Sequence, residues 1–179
     1  NPDAPQGAMA EYLLRQAVQV PLQRETLSGR AIRYGDWLLP GVIGMRGPLS
    51  CLNEARFGIS FGACGAARAC YESALAYSLE RRQFDQPIAG FQLTQKKLVD
   101  MMVAVQRGTL VAMHLGRMKD AGTLATPQVS FAKMDNVAMA LDVARTARSV
   151  LGANGITTEY PVIRHMNNLE SVFTYEGTN

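Results

Sequence analysis

Cysteine, histidine and tryptophan are scarce in this chain of 179 residues, which has three cysteines, two histidines and one tryptophan. Cys51, Cys64 and Cys70 form no C-x-x-C pair and no even set, so they are typical of buried or free thiols in a reducing compartment rather than of a disulfide framework. His114 and His165 belong to no H-x-x-x-H or E-x-x-H pattern. The sequence therefore predicts no metal site.

Charge of one sign and long apolar runs are also lacking. The 18 Lys and Arg residues against 15 Asp and Glu residues give a net charge of +3, with no run of five basic residues. A net charge this small does not indicate binding to a nucleic acid or to a membrane surface, although it is compatible with binding of an anionic small molecule. The longest uncharged apolar stretch, residues 57–67, has 11 residues, fewer than the ~18 that span a bilayer. We expect no membrane insertion, and the N-terminus lacks the pattern of a secretory leader.

Several common catalytic and phosphate-binding motifs are missing. The sequence contains no G-x-G, no P-loop and no G-x-S-x-G, which excludes a Rossmann phosphate loop and the nucleophile elbow of serine hydrolases. What is present is a globular composition, 47% hydrophobic and 18% charged, which excludes a disordered chain. The length allows one domain with a real core and a small appendage.

Residues 1–48 differ in composition from the rest of the chain. They hold five of the eight prolines, and five glycines lie between Gly29 and Gly47. A helix is predicted at Met9–Val20 and a strand at Ala31–Leu39. We interpret this part as the irregular or β remnant of a preceding domain with a linker. Because the chain begins at Asn1 rather than at a methionine, we expect it to be a piece of a longer protein.

From residue 49 onward the chain is predicted to be helical almost throughout. The first helix runs from about Ser50 to about Gln83, which at ~1.5 Å per residue is ~50 Å. Gly58, Gly62 and Gly65 lower its helix propensity, and on one side of a helix they would let a neighbouring helix or a ligand approach the backbone. The predicted apolar stripe of this helix is Leu52, Ala55, Ile59, Gly62, Ala66 and Ala69.

Three further helices are predicted. The second is Phe91–Asp120, and the third begins at Thr126, which we expect to cap it, with Pro127 at the first helical position. Gly152 is expected just past the end of the third helix, and a shorter helix is predicted at Val162–Glu170. The fold class is therefore mainly α, an up-down bundle over residues 49–179. The predicted stripe of the third helix is Met134, Val137, Leu141, Ala144, Ala147 and Leu151.

Three segments combine residues that carry chemistry, and each has a structural alternative. At the end of the first helix, Arg81 and Arg82 suit either the helix dipole or a phosphate clamp. Residues 151–156, LGANGI, form either a glycine turn or a place where backbone N–H groups meet a bulky or anionic ligand. In residues 174–178, TYEGT, Glu176 taken alone is typical of a solvated acid.

In this order and spacing the three segments resemble the C-terminal half of the acyl-CoA dehydrogenase flavoenzymes. The resemblance covers residues 41–179. Within the family, residues 51–56, 95–97 and 164–170 are most similar to glutaryl-CoA dehydrogenase. Ala153 departs from the second glycine that the family commonly has, and residues 1–40 do not match the end of its β-domain. The anchors are Arg81-x-Gln83-Phe84 with Pro87, Gly152-Ala-Asn-Gly155 with Glu159-Tyr160, and Tyr175-Glu176-Gly177-Thr178.

The resemblance implies an enzyme with an N-terminal helical domain, a middle β-domain and a C-terminal four-helix bundle, assembled as a homotetramer. This chain would hold the bundle, incomplete at its C-terminus. FAD is expected between the β-domain and the bundle, with the bundle of a neighbouring subunit at the pyrophosphate. Arg81 matches the pyrophosphate-binding residue. The other implied cofactor contacts are Gln83, Phe84, Gln92, Ser149, Gly152, Ala153 and Thr178.

The resemblance also implies that Glu176 is the catalytic base, which removes the Cα proton of an acyl-CoA thioester while a hydride passes from Cβ to flavin N5. Burial beside an apolar acyl chain raises the pKa of a carboxylate, and oxyanion donors stabilise the enolate-like transition state. For Arg56 the alternative is an ion pair on the helix surface. The implied substrate contacts are Leu52, Asn53, Arg56, Tyr175 and Gly177.

Three interpretations stay open at this stage. The first is part of a glutaryl-CoA dehydrogenase, which oxidises and decarboxylates its substrate to crotonyl-CoA. The second is part of a short-chain acyl-CoA dehydrogenase or oxidase, because the residues that grip the distal carboxylate are expected outside this chain. The third is an inactive helical assembly fragment. The resemblance implies an acyl-CoA, an electron-transfer flavoprotein and further copies of the chain as partners, in the bacterial cytoplasm or the mitochondrial matrix.

Overall fold

The computed structural model describes residues 45–177. The helix predicted at Met9–Val20, the strand predicted at Ala31–Leu39 and the predicted cofactor contact Thr178 lie outside the described residues. The chain divides into two units, residues 1–52 and 53–179, and the fold described below belongs to the second unit except for the first residues of α1. The predicted division after residue 48 stays a prediction.

Four helices make up the described fold, and the predicted mainly α, up-down four-helix bundle is confirmed. They are α1 (Arg46–Glu80), α2 (Gln92–Asp120), α3 (Thr126–Leu151) and α4 (Val162–Thr174). Helix α3 packs against both α2 and α4. Two short 3-10 turns, Ile88–Gly90 and Gly152–Ile156, precede α2 and follow α3.

A small hairpin follows α1, where the sequence predicted three more helical residues. Strands β1 (Arg82–Gln83) and β2 (Gln86–Pro87) pair antiparallel. Phe84 and Asp85 form the turn between them and both have positive φ, 51° and 64°, as in the two-residue turns that match strand twist. The predicted end of α1 near Gln83 is therefore wrong, because the helix ends at Glu80. The sequence did not indicate the hairpin, since neither turn residue is a glycine, the usual sequence mark of such a turn.

Apolar side chains of all four helices form one core. The stripe predicted for α3 is confirmed at five of its six positions, but Met134 is 49% exposed. The stripe predicted for α1 is wrong, since Gly62 is exposed and the other five positions are only half-buried. Alanine and glycine occur on every side of α1, so its apolar pattern does not distinguish the faces. The face of α1 in the core is Ala63, Ala67, Cys70 and Ala74.

The helix ends show two further differences from expectation. The N-cap of α3 is Ala125 rather than Thr126, and the Oε1 of Gln128 accepts a hydrogen bond of 2.8 Å from the Ala125 N–H. Helix α4 continues to Thr174, one turn beyond the predicted Glu170. Gly152 closes α3 with a φ of +60°, as predicted for a glycine at this end.

The glycines Gly58 and Gly62 of α1 face open space in the described part of the chain. A Cβ added at either position would meet no neighbouring atom within 4 Å. The close approach of a neighbouring helix that these glycines would allow is therefore not made by residues 45–177.

A polar side chain joins three of the helices inside the core. Asn136 of α3 is fully buried, and its Nδ2 donates to the carbonyl oxygens of Ser60 in α1 at 3.0 Å and of Gly108 in α2 at 3.2 Å. A buried amide with partners on two other helices favours one register of packing over its alternatives. This bond pair therefore fixes α3 against α1 and α2.

Helix α2 is long and apolar enough, by length and composition alone, to cross a membrane, and a third of its most apolar stretch is buried. Core helices of proteins in water share these properties. The expected absence of membrane insertion stays a prediction. Beside the buried stripe of α2 runs a second, exposed apolar stripe: Val99, Met102, Val103, Leu110 and Met113.

Candidate active site

The first cluster of predicted residues surrounds the turn that follows α4. This turn, Tyr175–Gly177, is called the Glu176 turn below. Glu176 has a φ of +59° and Gly177 a φ of +99°. Non-glycine residues rarely adopt positive φ, and such conformations persist only where surrounding contacts hold them. The structure shows these contacts.

Two cations from two helices hold successive carbonyl groups of the Glu176 turn. The Nε of Arg56, in α1, donates to the Glu176 carbonyl at 2.6 Å. The Nζ of Lys133, in α3, donates to the Gly177 carbonyl at 2.6 Å. Arg56 also donates through Nη1 to the Oγ of Ser130 at 3.3 Å. Arg56 is half-buried, so the alternative of an ion pair on the helix surface does not describe its place.

Lys133 is the residue of this cluster that the sequence analysis missed. It is only 3% exposed, and its Nζ lies 3.4 Å from the Phe173 carbonyl in the last turn of α4. Burial lowers the pKa of the Lys133 ammonium, the Arg56 charge lowers it further, and the Glu176 carboxylate opposes both. A lysine within the buried stripe of α3, four residues before Val137, is a sequence mark that would have identified it.

Besides the Oδ1 of Asn136 in the core, two buried oxygen atoms, one near the start of α1 and one in the Glu176 turn, have no hydrogen-bond partner in the described part of the chain. They are the Oδ1 of Asn53 and the Oε2 of Glu176. A buried acceptor without a donor is costly, and in a native protein it marks a strained or functional position. The Glu176 carboxylate thus has an oxygen available to accept a proton.

Gly177 is required at its position for two reasons. Its φ of +99° is one that residues with a Cβ rarely adopt, and a Cβ there would lie 2.9 Å from the Nη2 of Arg56. Of the other predicted substrate contacts, Tyr175 is exposed and Leu52 is half-buried on α1. The structure therefore brings Arg56, Glu176 and Gly177 into contact.

The second cluster is a groove of about 450 Å³. Four predicted cofactor residues line it together, although they come from two segments about 70 residues apart in the sequence: Arg81 and Gln83 from the end of α1 and β1, and Gly152 and Ala153 from the end of α3. The remaining lining residues are Tyr77, Ile88, Val150, Leu151 and Asn154.

The groove has a rigid wall that the sequence analysis did not identify. The Nδ2 of Asn154 donates to the Tyr77 hydroxyl at 3.1 Å, and the Tyr77 ring meets the Tyr160 ring edge-on with centroids 5.6 Å apart. A Cβ at Gly155 would collide with the carbonyl oxygen of Arg148, so the glycine lets the turn close tightly against α3. These contacts fix the backbone of the turn after α3.

The two adjacent arginines at the groove differ in their partners. Arg82 donates from Nη2 to the Asp85 carbonyl within the hairpin. The Arg81 guanidinium is exposed and has no hydrogen-bond or ion-pair partner among residues 45–177. Its five donors are therefore available to an anion in the groove, and a guanidinium fork fits phosphate oxygens. The groove residues fit a pyrophosphate group.

Three other predicted cofactor residues do not line the groove. Phe84 lies at the tip of the hairpin, 88% exposed, with its ring edge-on to Phe91 at 6.2 Å. Gln92 is exposed at the first position of α2, and Ser149 is exposed and accepts a hydrogen bond of 3.3 Å from Lys97. Among residues 45–177, no group of three or more His, Cys, Asp and Glu side chains is placed to hold a metal ion.

Both clusters lie within the part of the chain that is similar to known proteins. The family model described as "Acyl-CoA dehydrogenase, C-terminal domain" matches residues 43–179. A glutaryl-CoA dehydrogenase from Desulfococcus multivorans is 35% identical over 136 residues, which are 75% of this chain and 35% of that protein.

Solved structures agree with the sequence match. The crystal structure of glutaryl-CoA dehydrogenase from Mycobacterium smegmatis is 66% identical with a TM-score of 0.76, over 78% of this chain and 36% of that one. A second M. smegmatis glutaryl-CoA dehydrogenase structure, in complex with FADH2, is 54% identical with a TM-score of 0.76 over the same shares. Butyryl-CoA dehydrogenase from Megasphaera elsdenii is 31% identical with a TM-score of 0.73, over 78% of this chain and 37% of that one.

The chain spans about a third of the length of these relatives. The family model covers more than half of the chain, and the fold aligns with a solved glutaryl-CoA dehydrogenase over 78% of the chain. The chain therefore belongs to the acyl-CoA dehydrogenase family and carries that family's C-terminal domain.

Proposed function

We propose that this chain supplies the catalytic base and part of the cofactor site of an FAD-dependent acyl-CoA dehydrogenase whose substrate is glutaryl-CoA. The observation that carries the proposal is the Glu176 carboxylate. Its Oε2 is buried without a hydrogen-bond partner in the described residues, on a turn that Arg56 and Lys133 hold by two bonds of 2.6 Å.

The proposed step for Glu176 is removal of a proton. The α-proton of a thioester is too weakly acidic for a carboxylate in water, so the base must be desolvated and directed at the proton. The Oε2 is buried and accepts no hydrogen bond from the described residues, which meets the first requirement. A turn that is fixed from two helices meets the second. When FAD is bound, it accepts the hydride that leaves Cβ as the Cα–Cβ double bond forms.

The groove is proposed to hold the pyrophosphate of FAD. Arg81 offers a guanidinium without a partner in residues 45–177, and Gly152, at a φ of +60°, leaves the backbone beside it open to a ligand. The Asn154–Tyr77 bond keeps this wall in place. These residues bind and orient the cofactor but perform no chemistry of their own.

Glutaryl-CoA is proposed over other substrates because the identity to the M. smegmatis glutaryl-CoA dehydrogenase is about twice that to the M. elsdenii butyryl-CoA dehydrogenase. For a glutaryl substrate, the enoyl product loses CO₂ from its distal carboxylate. The proton held by Glu176 then returns to carbon, which gives crotonyl-CoA. An electron-transfer flavoprotein as acceptor and a homotetrameric assembly are part of the same proposal.

A short-chain acyl-CoA dehydrogenase is the second candidate, favoured by the similarity to the butyryl-CoA enzyme. The test is a graft, in which residues 43–179 of this chain replace the matching segment of the M. smegmatis glutaryl-CoA dehydrogenase. We expect the graft to reduce an artificial electron acceptor with glutaryl-CoA and to release one CO₂ per turnover.

The outcomes separate the candidates. Because the residues that grip the distal carboxylate come from the host enzyme, the same segment is also grafted into the M. elsdenii butyryl-CoA dehydrogenase. If only that second graft is active, with butyryl-CoA, the short-chain enzyme is favoured. A graft that retains its yellow FAD and oxidises neither substrate contradicts the proposed activity and favours a helical module that serves only in assembly.

A further inference from the structure

We infer that Lys133 is a positioning residue for Glu176: its ammonium group ties the end of α4 to the far side of the Glu176 turn and so fixes the direction of the carboxylate. The inference rests on the proposed function, in which Glu176 is the base. Its evidence is the place of one buried cation between two carbonyl groups.

The two carbonyls bracket the Glu176 turn. The Nζ of Lys133 lies 3.4 Å from the oxygen of Phe173, inside α4, and 2.6 Å from the oxygen of Gly177. The last carbonyls of a helix have no partner within the helix, and a cation there is favourable. One ammonium therefore terminates α4 and at the same time clamps the residue that follows Glu176.

The clamp is needed because the turn is strained. Glu176 is not a glycine and yet has a φ of +59°, a conformation that costs of order 1–3 kcal/mol and that only surrounding contacts maintain. Arg56 holds the carbonyl of Glu176 itself and Lys133 holds the next one. With either bond absent, the peptide between the two residues can rotate, and the carboxylate then points elsewhere.

A lysine is a costly way to fill this place if only stability matters. Lys133 is 3% exposed, and a buried cation loses its hydration. Arg56 carries a second positive charge nearby, which disfavours the Lys133 charge, and the Glu176 carboxylate favours it. Apolar side chains in the places of all the partners would avoid this cost, whereas removing the cation alone leaves its partners uncompensated and is destabilising. The cost of burying Lys133 thus goes with bonds to the Glu176 turn and to the end of α4, which places the effect of this residue on the turn.

The first test uses the full 179-residue chain and needs no activity. Lys133→Met keeps the side-chain length and removes the donor. We expect a lower thermal midpoint than that of the unsubstituted chain, because two carbonyls lose their donor. We also expect about tenfold faster amide exchange confined to residues 171–177, where the Tyr175 N–H is bonded to the Ser171 carbonyl. The matched control is Lys96→Met, which removes an exposed lysine on α2 and leaves this exchange unchanged.

The second test places the same two substitutions in the graft. For Lys133→Met we expect kcat to fall at least about tenfold, with KM for glutaryl-CoA and FAD content within about twofold. Lys96→Met leaves all three unchanged. A role that is merely structural would instead speed amide exchange throughout the bundle and reduce FAD content and kcat together.

The two tests keep the positioning inference separate from the proposed function. Unchanged exchange in residues 171–177 for Lys133→Met overturns the inference, whether or not the graft is active. Faster exchange together with an unsubstituted graft that oxidises no acyl-CoA supports the positioning of Glu176 and counts against its proposed role as base. Faster exchange with unchanged kcat also overturns the inference, because the direction of the carboxylate would then not matter.

Discussion

Arg56 and Glu176 are 120 residues apart in the sequence, yet the Nε of Arg56 donates a hydrogen bond of 2.6 Å to the main-chain carbonyl of Glu176. The bond joins the first helix of the bundle to the turn that follows the last one. It engages the backbone of Glu176, while the Oε2 of the carboxylate stays buried without a partner in the described residues. The guanidinium thus holds the backbone of the Glu176 turn and leaves the Oε2 of the carboxylate unbonded.

The first prediction concerns that carboxylate. Glu176→Gln in the graft keeps the shape and hydrogen-bonding size of the side chain but cannot accept the Cα proton. We expect kcat with glutaryl-CoA to fall by at least about 100-fold, the usual contribution of a general base, and the flavin absorbance to be retained. Glu170→Gln is the matched control, because Glu170 is exposed and pairs with Arg145. Turnover of Glu176→Gln within about tenfold of the unsubstituted graft would exclude Glu176 as the base.

The second prediction compares the two adjacent arginines. Arg81 lines the groove and is free of partners among residues 45–177, whereas Arg82 is bonded to the Asp85 carbonyl in the hairpin. Arg81→Ala in the graft should lower the FAD that is retained through gel filtration by about tenfold, because a charge-assisted bond to phosphate is lost. Arg82→Ala should retain FAD. Equal retention by the two variants would show that the groove does not hold the pyrophosphate.

The sequence predicted the features that have a strong apolar periodicity or a glycine or proline at the end of a helix. The stripe of α3 and Gly152 at its end were predicted because large apolar residues recur at helical spacing up to a glycine. The face of α1 was not, since alanine and glycine lie on all its sides. The hairpin was missed because Phe84 and Asp85 adopt positive φ without the usual glycine, and only tertiary contacts impose that conformation.

In the candidate site, too, the sequence predicted local motifs and missed the contacts between distant segments. Glu176, Arg81 and the glycine turn were found through their resemblance to family motifs, which record residues close in sequence. Lys133 and the Asn154–Tyr77 pair were missed because their roles exist only when α3 is placed against α4 and α1. No spacing along the chain expresses such a contact. A charged residue in a buried stripe is the one local mark that would have revealed Lys133.

The third prediction separates backbone strain from damage to the site, by comparing two glycines with positive φ. Gly177→Ala places a methyl group 2.9 Å from the Nη2 of Arg56 at a φ of +99°, so the Arg56–Glu176 bond must shift. Gly122→Ala has a similar strain, at a φ of +68°, but no neighbouring atom within 4 Å in the described part of the chain. We expect each to lower the free energy of unfolding by about 1–2 kcal/mol.

Only Gly177→Ala should also reduce kcat in the graft, by about tenfold or more, because only there does the methyl group displace a residue that holds the base. The measurements are urea unfolding of the 179-residue chain and steady-state kinetics of the graft. If Gly122→Ala reduces kcat as much as Gly177→Ala does, the loss reflects general destabilisation and the Arg56 contact has no special role.

The last prediction concerns the three thiols, which report on the packing of α1. Cys51 is exposed, whereas Cys64 and Cys70 are buried. Burial raises the pKa of the Cys64 thiol and raises the pKa of Cys70 to about 11. Since the thiolate is the reactive form, we expect a disulfide reagent at pH 8 to label one thiol quickly in the folded chain and three in denaturant. Cys51→Ser should abolish the fast phase. Rapid labelling of Cys70 in the folded chain would contradict the face of α1 that packs into the core, and with it the position from which Arg56 reaches Glu176.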